Sequence, residues 1–279
     1  MAFGTGHATT TTQAVYIPDL WSKTVQMANE ANLVFGKLVT RFDGEVKYGD
    51  SLKIPSAGNY TAQTKSASTI VTWANTATDG STTINIDTHA YVAFLIEDIL
   101  KTQSGMYDIE SIFKRKGGYG ISKKIDGDLA ALVASATQTV GDFSSDKVED
   151  AHITRAIQYL DDADADPDDR HFVFKPVVAT SIRGIDKFIR MDSTGEKRVT
   201  KGEIGDIYGL KLHQSTNVYN VGDEDYNVIF QKEAFALAIQ KNMTTETGRI
   251  LEYMSDGVIV STLYGKAEYR STSYVLVKS

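Results

Sequence analysis

Between Glu45 and Ile96 the chain carries two strand-like arms around a stretch that cannot fold onto itself. Glu45-Val46-Lys47-Tyr48-Gly49-Asp50-Ser51-Leu52-Lys53-Ile54-Pro55 alternates and ends on proline, as a strand does. The returning arm alternates over Thr83–Asp87 and is apolar from Tyr91 to Ile96. Residues 56–83 are mostly Ala, Ser, Thr, Asn and Gly, with Ile70, Val71 and Trp73 nearly alone among large apolar side chains, and Asp79-Gly80 marks a turn. The spacing predicts a long hairpin over 46–92. An arm of about twenty residues reaches roughly 65 Å at strand rise. An isolated two-stranded hairpin is marginal in water, so something outside this segment must support it.

The rest of the chain is long enough for one large core or two smaller ones, 279 residues in all. Its first fourteen residues are small and polar and read as a mobile arm. After Pro18 a loose apolar stripe follows, Leu20, Trp21, Val25, Ala28 and Leu33, in a segment that also holds Met27. Trp21 and Met27 have no obvious partner nearby in sequence; they pack on their own domain or reach a neighbouring subunit. Asp108 is placed to cap a long helix running to about Ala136, with Ile121, Ile125, Leu129 and Leu132 at helical spacing. Gly117, Gly118 and Gly120 interrupt it, which predicts close backbone packing or a bend. Beyond it, Ile153, Ala156, Ile157 and Leu160 predict a short helix, and Phe172-Val173-Phe174 a buried strand ended by Pro176. A further helix follows over Val178, Ile182, Ile185 and Ile189, then strands over Val228–Ile239, Gly257–Leu263 and Tyr274–Val277. Helices and strands mix without a βαβ period, so the fold class is α+β.

Chemical motifs are scarce. With no cysteine, disulfides and thiolate metal sites are excluded. A net charge of −7 argues against a broad duplex-binding surface. No apolar run is long enough to span a membrane as a helix. Gly36-Lys37-Leu38 and Gly265-Lys266-Ala267 fail as phosphate loops, and Gly118-Tyr119-Gly120 lacks the third glycine of a dinucleotide fingerprint. None of the five histidines, His7, His89, His152, His171 and His213, stands at metal-ligand spacing from another. The acidic run Asp161–Asp169 misses the glycine and glutamate of a calcium loop and reads as a solvated loop. Gly202, Gly205 and Gly209 precede the alternating Leu210-Lys211-Leu212, a strand rather than a helix, so Gly205 and Gly209 read as turn positions and not a phosphate cradle. The residues therefore predict no catalytic set, no cofactor and no metal.

The order of parts is more informative than any motif. Ile17-Pro18-Asp19-Leu20-Trp21-Ser22, Gly49-Asp50-Ser51-Leu52-Lys53-Ile54-Pro55, Phe94-Leu95-Ile96-Glu97-Asp98-Ile99 with Gln103, and Lys124-Ile125-Asp126 follow one another. Phe172-Val173-Phe174-Lys175-Pro176, Gly202–Leu212 and Ser215-Thr216-Asn217 complete the succession. It resembles the major capsid proteins of tailed bacteriophages, the Hong Kong 97-like capsid fold, over nearly the whole chain. The resemblance implies an N-terminal arm at 1–35 and an extension loop at 46–92 that lies across a neighbouring subunit. It implies a peripheral domain with a spine helix at 36–45, 93–140 and 241–279, and an axial domain at 141–240.

The function so implied is a shell of pentamers and hexamers of this chain, enclosing double-stranded DNA without sequence-specific binding. A portal and a decoration protein are further partners. Since the chain starts directly with its arm, a separate scaffolding protein or a matured form is implied as well. The implied location is the virion, after assembly in the host cytoplasm. The candidate inter-subunit contacts are Trp21, Met27, Lys65, Ile70 and Trp73. Some relatives cross-link through a loop lysine; Lys65 lies in the hairpin, but no partner is assignable, and no cross-link is expected. The competing readings are a cellular nanocompartment shell of the same fold and a metal-dependent enzyme using Asp162–Asp169 and His171. A tail or fibre protein would show repeats or heptads, which are absent.

Overall fold

A computed structural model describes residues 30–31, 33–56, 58, 62–71, 73, 80–103, 109–142, 147–184, 206–222 and 224–279. In chain order these form α1 (Phe35–Leu38), β1 (Thr40–Arg41), β2 (Ser51–Ser56), β3 (Gly80–Asn85), β4 (Thr88–Glu97), α2 (Asp98–Gln103), α3 (Ile109–Ala130), β5 (Thr139–Val140) and α4 (Asp150–Asp162). There follow β6 (Arg170–Phe174), α5 (Pro176–Arg183), β7 (Asp206–Ile207), β8 (Leu210–Gln214), β9 (Asn220–Val221), β10 (Glu224–Gln231), β11 (Phe235–Ile250), β12 (Ser255–Glu268) and β13 (Tyr274–Lys278). They make a four-stranded sheet in the order β1-β11-β12-β4 and a seven-stranded sheet in the order β5-β13-β10-β6-β8-β7, with β9 also paired to β10. The hairpin β2-β3 stands apart as a third sheet.

The expected long helix is α3, continued by a tighter turn over Ala131–Ser135; Asp108 lies outside the described residues. It packs across the four-stranded sheet through Ile121, Ile125 and Leu129, all buried. Its glycines serve close packing: a Cβ on Gly117 would meet Val260 Cγ2 at 3.3 Å and Phe94 Cε1 at 3.4 Å. Small residues thus do part of the work that large apolar ones do on an ordinary amphipathic face. Near the C-terminal end of α3, the buried Asp126 carboxylate accepts the Gly36 amide of α1 at 3.1 Å and the Asn217 Nδ2–H at 3.1 Å. Burial holds its pKa above the ordinary carboxylate value, against these hydrogen bonds. One side chain so ties α1, α3 and the loop after β8 together.

The seven-stranded sheet is covered on one face by α4 and α5. Ile153, Ala156 and Leu160 of α4 and Val178, Ala179 and Ile182 of α5 are buried against Phe172, Phe174 and Ile229. Pro176 both ends the β6 segment and opens α5 at its first turn, where a missing N–H costs nothing. Ile185 and Ile189, expected to extend that helix, lie outside the described residues.

Three sequence expectations shift. The stretch Val228–Ile239, expected as strand, is two strands in two sheets: β10 ends at Gln231, a tight turn spans Lys232–Ala234, and β11 begins at Phe235. The polar Gln231-Lys232-Glu233 marks the junction between the two apolar stretches. The last strand, β13, pairs with β10 and β5 in the seven-stranded sheet rather than with the spine-helix segments. The residues that begin β11 and β4 conversely lie in the four-stranded sheet. The two sheets share one core, visible as the aromatic sequence Phe35, Phe230, Phe235 and Tyr274, with successive ring centroids 5.9, 5.5 and 4.8 Å apart.

Candidate inter-subunit surface

The hairpin divides into a seated root and an uncovered tip. Its strands pair antiparallel from Ser51↔Asn85 to Ser56↔Gly80, a shorter ladder than the alternation suggests. Ile84 and Ile86 of the returning arm are buried with Val46 against Ala236 and Ala238 of β11, with Leu52 and Ile54 packed alongside. The root is therefore held by its own chain, and the support that the sequence demands is only partly external. At Gly265 the returning arm lies directly on the backbone of β12: a Cβ there would stand 2.3 Å from the Asn85 carbonyl oxygen.

Toward the tip this changes. Ile70 is 93% and Trp73 95% exposed, Val71 is exposed, and Lys65 is exposed as well. A free indole in water is an uncompensated apolar surface, since aromatics bury 150–250 Å² each, roughly, when they pack. Lys65, Ile70 and Trp73, three of the sequence candidates, thus share the tip. The other two, Trp21 and Met27, lie outside the described residues.

A second exposed apolar surface had no sequence signal. Along β4 the side chains alternate: Ala90 and Ile96 are buried toward α3, and Phe94 meets Phe113 of α3 edge-on at 5.2 Å between centroids. Tyr91, Ala93, Leu95 and Glu97 point to the opposite face and are exposed. Ile259 of β12 stands opposite Ala93, and Gly257 opposite Leu95. With Gly248 and Ile250 of β11 they line an open, mainly apolar groove of about 710 Å³.

The end of this sheet is fixed by charge. Arg249 grips Asp98 with both guanidinium nitrogens at 2.5 Å and reaches Asp256 at 3.3 Å, while Lys101 pairs with Asp256. The Arg249 hydrogen bonds hold Asp98 below the usual carboxylate range, and Lys101, then Arg249, do the same for Asp256. Leu251, Tyr253, Met254 and Ile99 stand exposed around this cluster. Ion pairs in water contribute little stability, so their role here is to fix the shape of an apolar tip.

The chemical inventory stays small on inspection. His171 and His213, 42 positions apart, are brought together across the parallel strands β6 and β8, Nδ1 to Nε2 at 3.1 Å. Burial, then the neighbouring His213 and Lys211, push His171 down to about 4. The acidic loop is pinned: Arg170, itself buried, pairs with Asp161 at 2.7 Å and donates to the carbonyls of Ala165 and Asp166. Asp169 pairs with Lys211 at 2.5 Å. Among the described residues no group of three or more His, Cys, Asp or Glu side chains is arranged to hold a metal ion. Tyr208 and Gly209 have φ of 51° and 80° and make the two-residue turn between β7 and β8, which is the role expected of Gly209. Gly202 and Gly205 lie outside the described residues.

No protein-family model and no curated protein matches the sequence. Solved structures do match over nearly the whole length. A chain from Mycobacterium phage Che8 is 25% identical, with a TM-score of 0.82, covering 94% of this chain and 97% of that one. A chain of the capsid of Cyanophage P-SCSP1u is 15% identical, with a TM-score of 0.79 over 95% and 93% of the two chains. A chain of the capsid of a native GTA particle is 11% identical, with a TM-score of 0.76 over 99% of each.

Proposed function

We infer that this chain, which has the Hong Kong 97-like fold of tailed-phage capsid proteins, is itself the major capsid protein of a tailed phage and self-assembles into an icosahedral shell. The observation that carries this reading is the match to phage capsid chains over 94–95% of this chain. The site supports it independently: an apolar hairpin tip and an apolar sheet face are surfaces that a second protein covers. The finer picture is a proposal. The seven-stranded sheet with α4 and α5 forms the axial domain around five- and six-fold rings. The four-stranded sheet with α3 forms the peripheral domain, and the hairpin is the extension loop. Trp21, Met27, Lys65, Ile70 and Trp73 contact neighbouring subunits. Scaffolding, portal and decoration proteins act as separate partners, assembly takes place in the host cytoplasm, and the shell encloses double-stranded DNA. An acidic chain suits that last role, since it does not grip the phosphates that must leave. Electron microscopy of the purified protein tests the reading. Closed, regular shells are expected, and a protein that stays monomeric at all concentrations, with or without a scaffolding protein, refutes it.

A further inference from the structure

We propose that the pocket between the acidic loop after α4 and the turn Lys232–Ala234 receives a basic segment of another protein chain. Asp164 and Asp166 hold its arginine or lysine side chain, and Gln231 and Ser273 donate to a neighbouring main-chain carbonyl. The first ground is charge. Four carboxylates and two guanidinium groups line this open pocket of about 550 Å³, a surplus of two negative charges. Arg170 is matched by Asp161 at 2.7 Å and Arg270 by Glu233 at 3.1 Å. Asp164 and Asp166 are exposed and, among the described residues, no cation pairs with either. The surplus is therefore theirs, and it is matched by a cation that the chain itself does not supply.

The second ground is a pair of polar groups without protein partners. Gln231 is 8% and Ser273 4% exposed, so both are more than nine-tenths buried, and both line the pocket. Gln231 Oε1 accepts the Glu233 amide at 2.7 Å, which leaves Nε2 as the open donor. Among the described residues neither this Nε2 nor Ser273 Oγ has a partner. Neither atom is sealed from water, so both open on the pocket. Buried polar groups are nearly always hydrogen-bonded, and here the missing acceptor comes from whatever fills the space. A metal ion or a polyamine offers none. Among the described residues the carboxylates also do not converge to hold a metal ion. A peptide offers both parts, a cation at the end of its side chain and a carbonyl at the base.

Rigidity is the third ground. The buried Arg170 donates to the carbonyls of Ala165 and Asp166 at 2.6 and 3.0 Å, and the Asp166 carboxylate accepts the Asp168 amide at 3.0 Å. The loop that carries both free carboxylates is thus held in shape before any ligand arrives, and less freedom is lost on binding. The opposite wall is fixed as well, since the Gln231 amide donates to the Ser273 carbonyl at 3.0 Å. Arginine suits such a site best, because its planar fork meets carboxylates with paired hydrogen bonds.

Free subunits serve for the test, so its failure leaves the capsid reading intact. A fluorescein-labelled Gly-Gly-Arg-Gly-Gly peptide should raise its anisotropy on binding, at about 0.15 M salt, where charges beyond about 8 Å are screened. The same peptide with citrulline keeps the shape and the carbonyls but not the charge, and should bind at least about fivefold more weakly. Asp164→Asn/Asp166→Asn should weaken the arginine peptide by a similar factor; asparagine at the second position can still accept the Asp168 amide. Asp162→Asn/Asp168→Asn removes the same charge outside the pocket lining and should change binding by less than about twofold. Agmatine, doubly charged but without a carbonyl, should compete less well than singly charged acetyl-arginine amide. Should Asp164→Asn/Asp166→Asn fail to fold, the citrulline and agmatine comparisons on the parent decide. An arginine peptide that does not bind at millimolar concentration overturns the proposal. So does an equal affinity for the citrulline peptide, an equal effect of the two double variants, or better competition by agmatine.

Discussion

Replacing Gly265 by alanine puts a methyl group where another part of the backbone already lies. The new carbon falls 2.3 Å from the Asn85 carbonyl oxygen, 2.9 Å from its carbonyl carbon and 3.1 Å from the Ile86 Cα. Ordinary contact begins near 3.4 Å, so the two backbones must part by about 1 Å. No rotamer relieves this, because every atom involved is main chain. Overpacking costs ~1–3 kcal/mol where side chains can yield, and this site belongs at the top of that range. The alternative response, lifting the root off the sheet, exposes Ile84 and Ile86 and forfeits roughly 1.5–3 kcal/mol for each. Strain is therefore the cheaper outcome, at about 3 kcal/mol. With a urea slope of ~3 kcal/mol per molar, the unfolding midpoint of free subunits should fall by about 1 M. Circular dichroism during urea titration measures it. Gly36→Ala is the control: nothing lies within 4 Å of its new carbon, and helix propensity favours alanine by up to about 1 kcal/mol. If Gly265→Ala unfolds at the same urea concentration as Gly36→Ala, the hairpin root is not seated on β12.

Three other outcomes are expected. His171 is held neutral down to about 4, whereas in the unfolded chain it takes a proton near 6.5. Its contribution is thus complete above pH 6.5 and lost as pH falls toward 4, at most ~3 kcal/mol; His171→Gln should flatten that part of the stability profile, and an unchanged acid slope would show that other groups set it. Asp126→Ala strands the Gly36 amide and the Asn217 amide that it accepts, at about 3 kcal/mol, and Asp126→Asn should recover part of this; equal midpoints for the parent and both variants contradict the buried tie. Trp73→Ala should leave the free subunit within ~0.5 kcal/mol of the parent, since the side chain is exposed, yet lower particle yield sharply; unaltered assembly removes Trp73 as an anchor.

Much of this was legible in local pattern. The alternation over Glu45–Pro55 and Thr83–Asp87 pointed to the hairpin, whose strands are Ser51–Ser56 and Gly80–Asn85. The i, i+3, i+4 spacing of Ile153, Ala156 and Ile157 marked α4. What escaped depended on distant partners. Gly265 in isolation reads as a weak point in a strand; its reason is the backbone of Asn85, 180 positions earlier in the chain. His171 and His213 each look solitary because parallel strands bring together residues that no spacing rule connects. The polar Gln231-Lys232-Glu233 marks the switch at Lys232–Ala234, but a short polar break does not say which sheet the strand on either side joins. The groove was invisible because its lining is drawn from three strands at once, β4, β11 and β12.

The shared core also bears on how such a chain can be inherited. Val173, Val228, Phe230 and Tyr274 of one sheet belong to a single buried cluster with Phe235, Leu237, Val260 and Tyr264 of the other and Ile121 and Leu129 of α3. The chain passes between the sheets from β4 through α3 to β5, again at Lys232–Ala234, and again between Glu268 and Tyr274. A recombination event that swapped one sheet for a relative's would have to replace matching halves of that cluster together, or leave cavities at several kcal/mol each. Small compensating substitutions leave that cluster intact at each step, whereas an exchange of halves does not. The fold itself recurs at 11% identity over 99% of both chains.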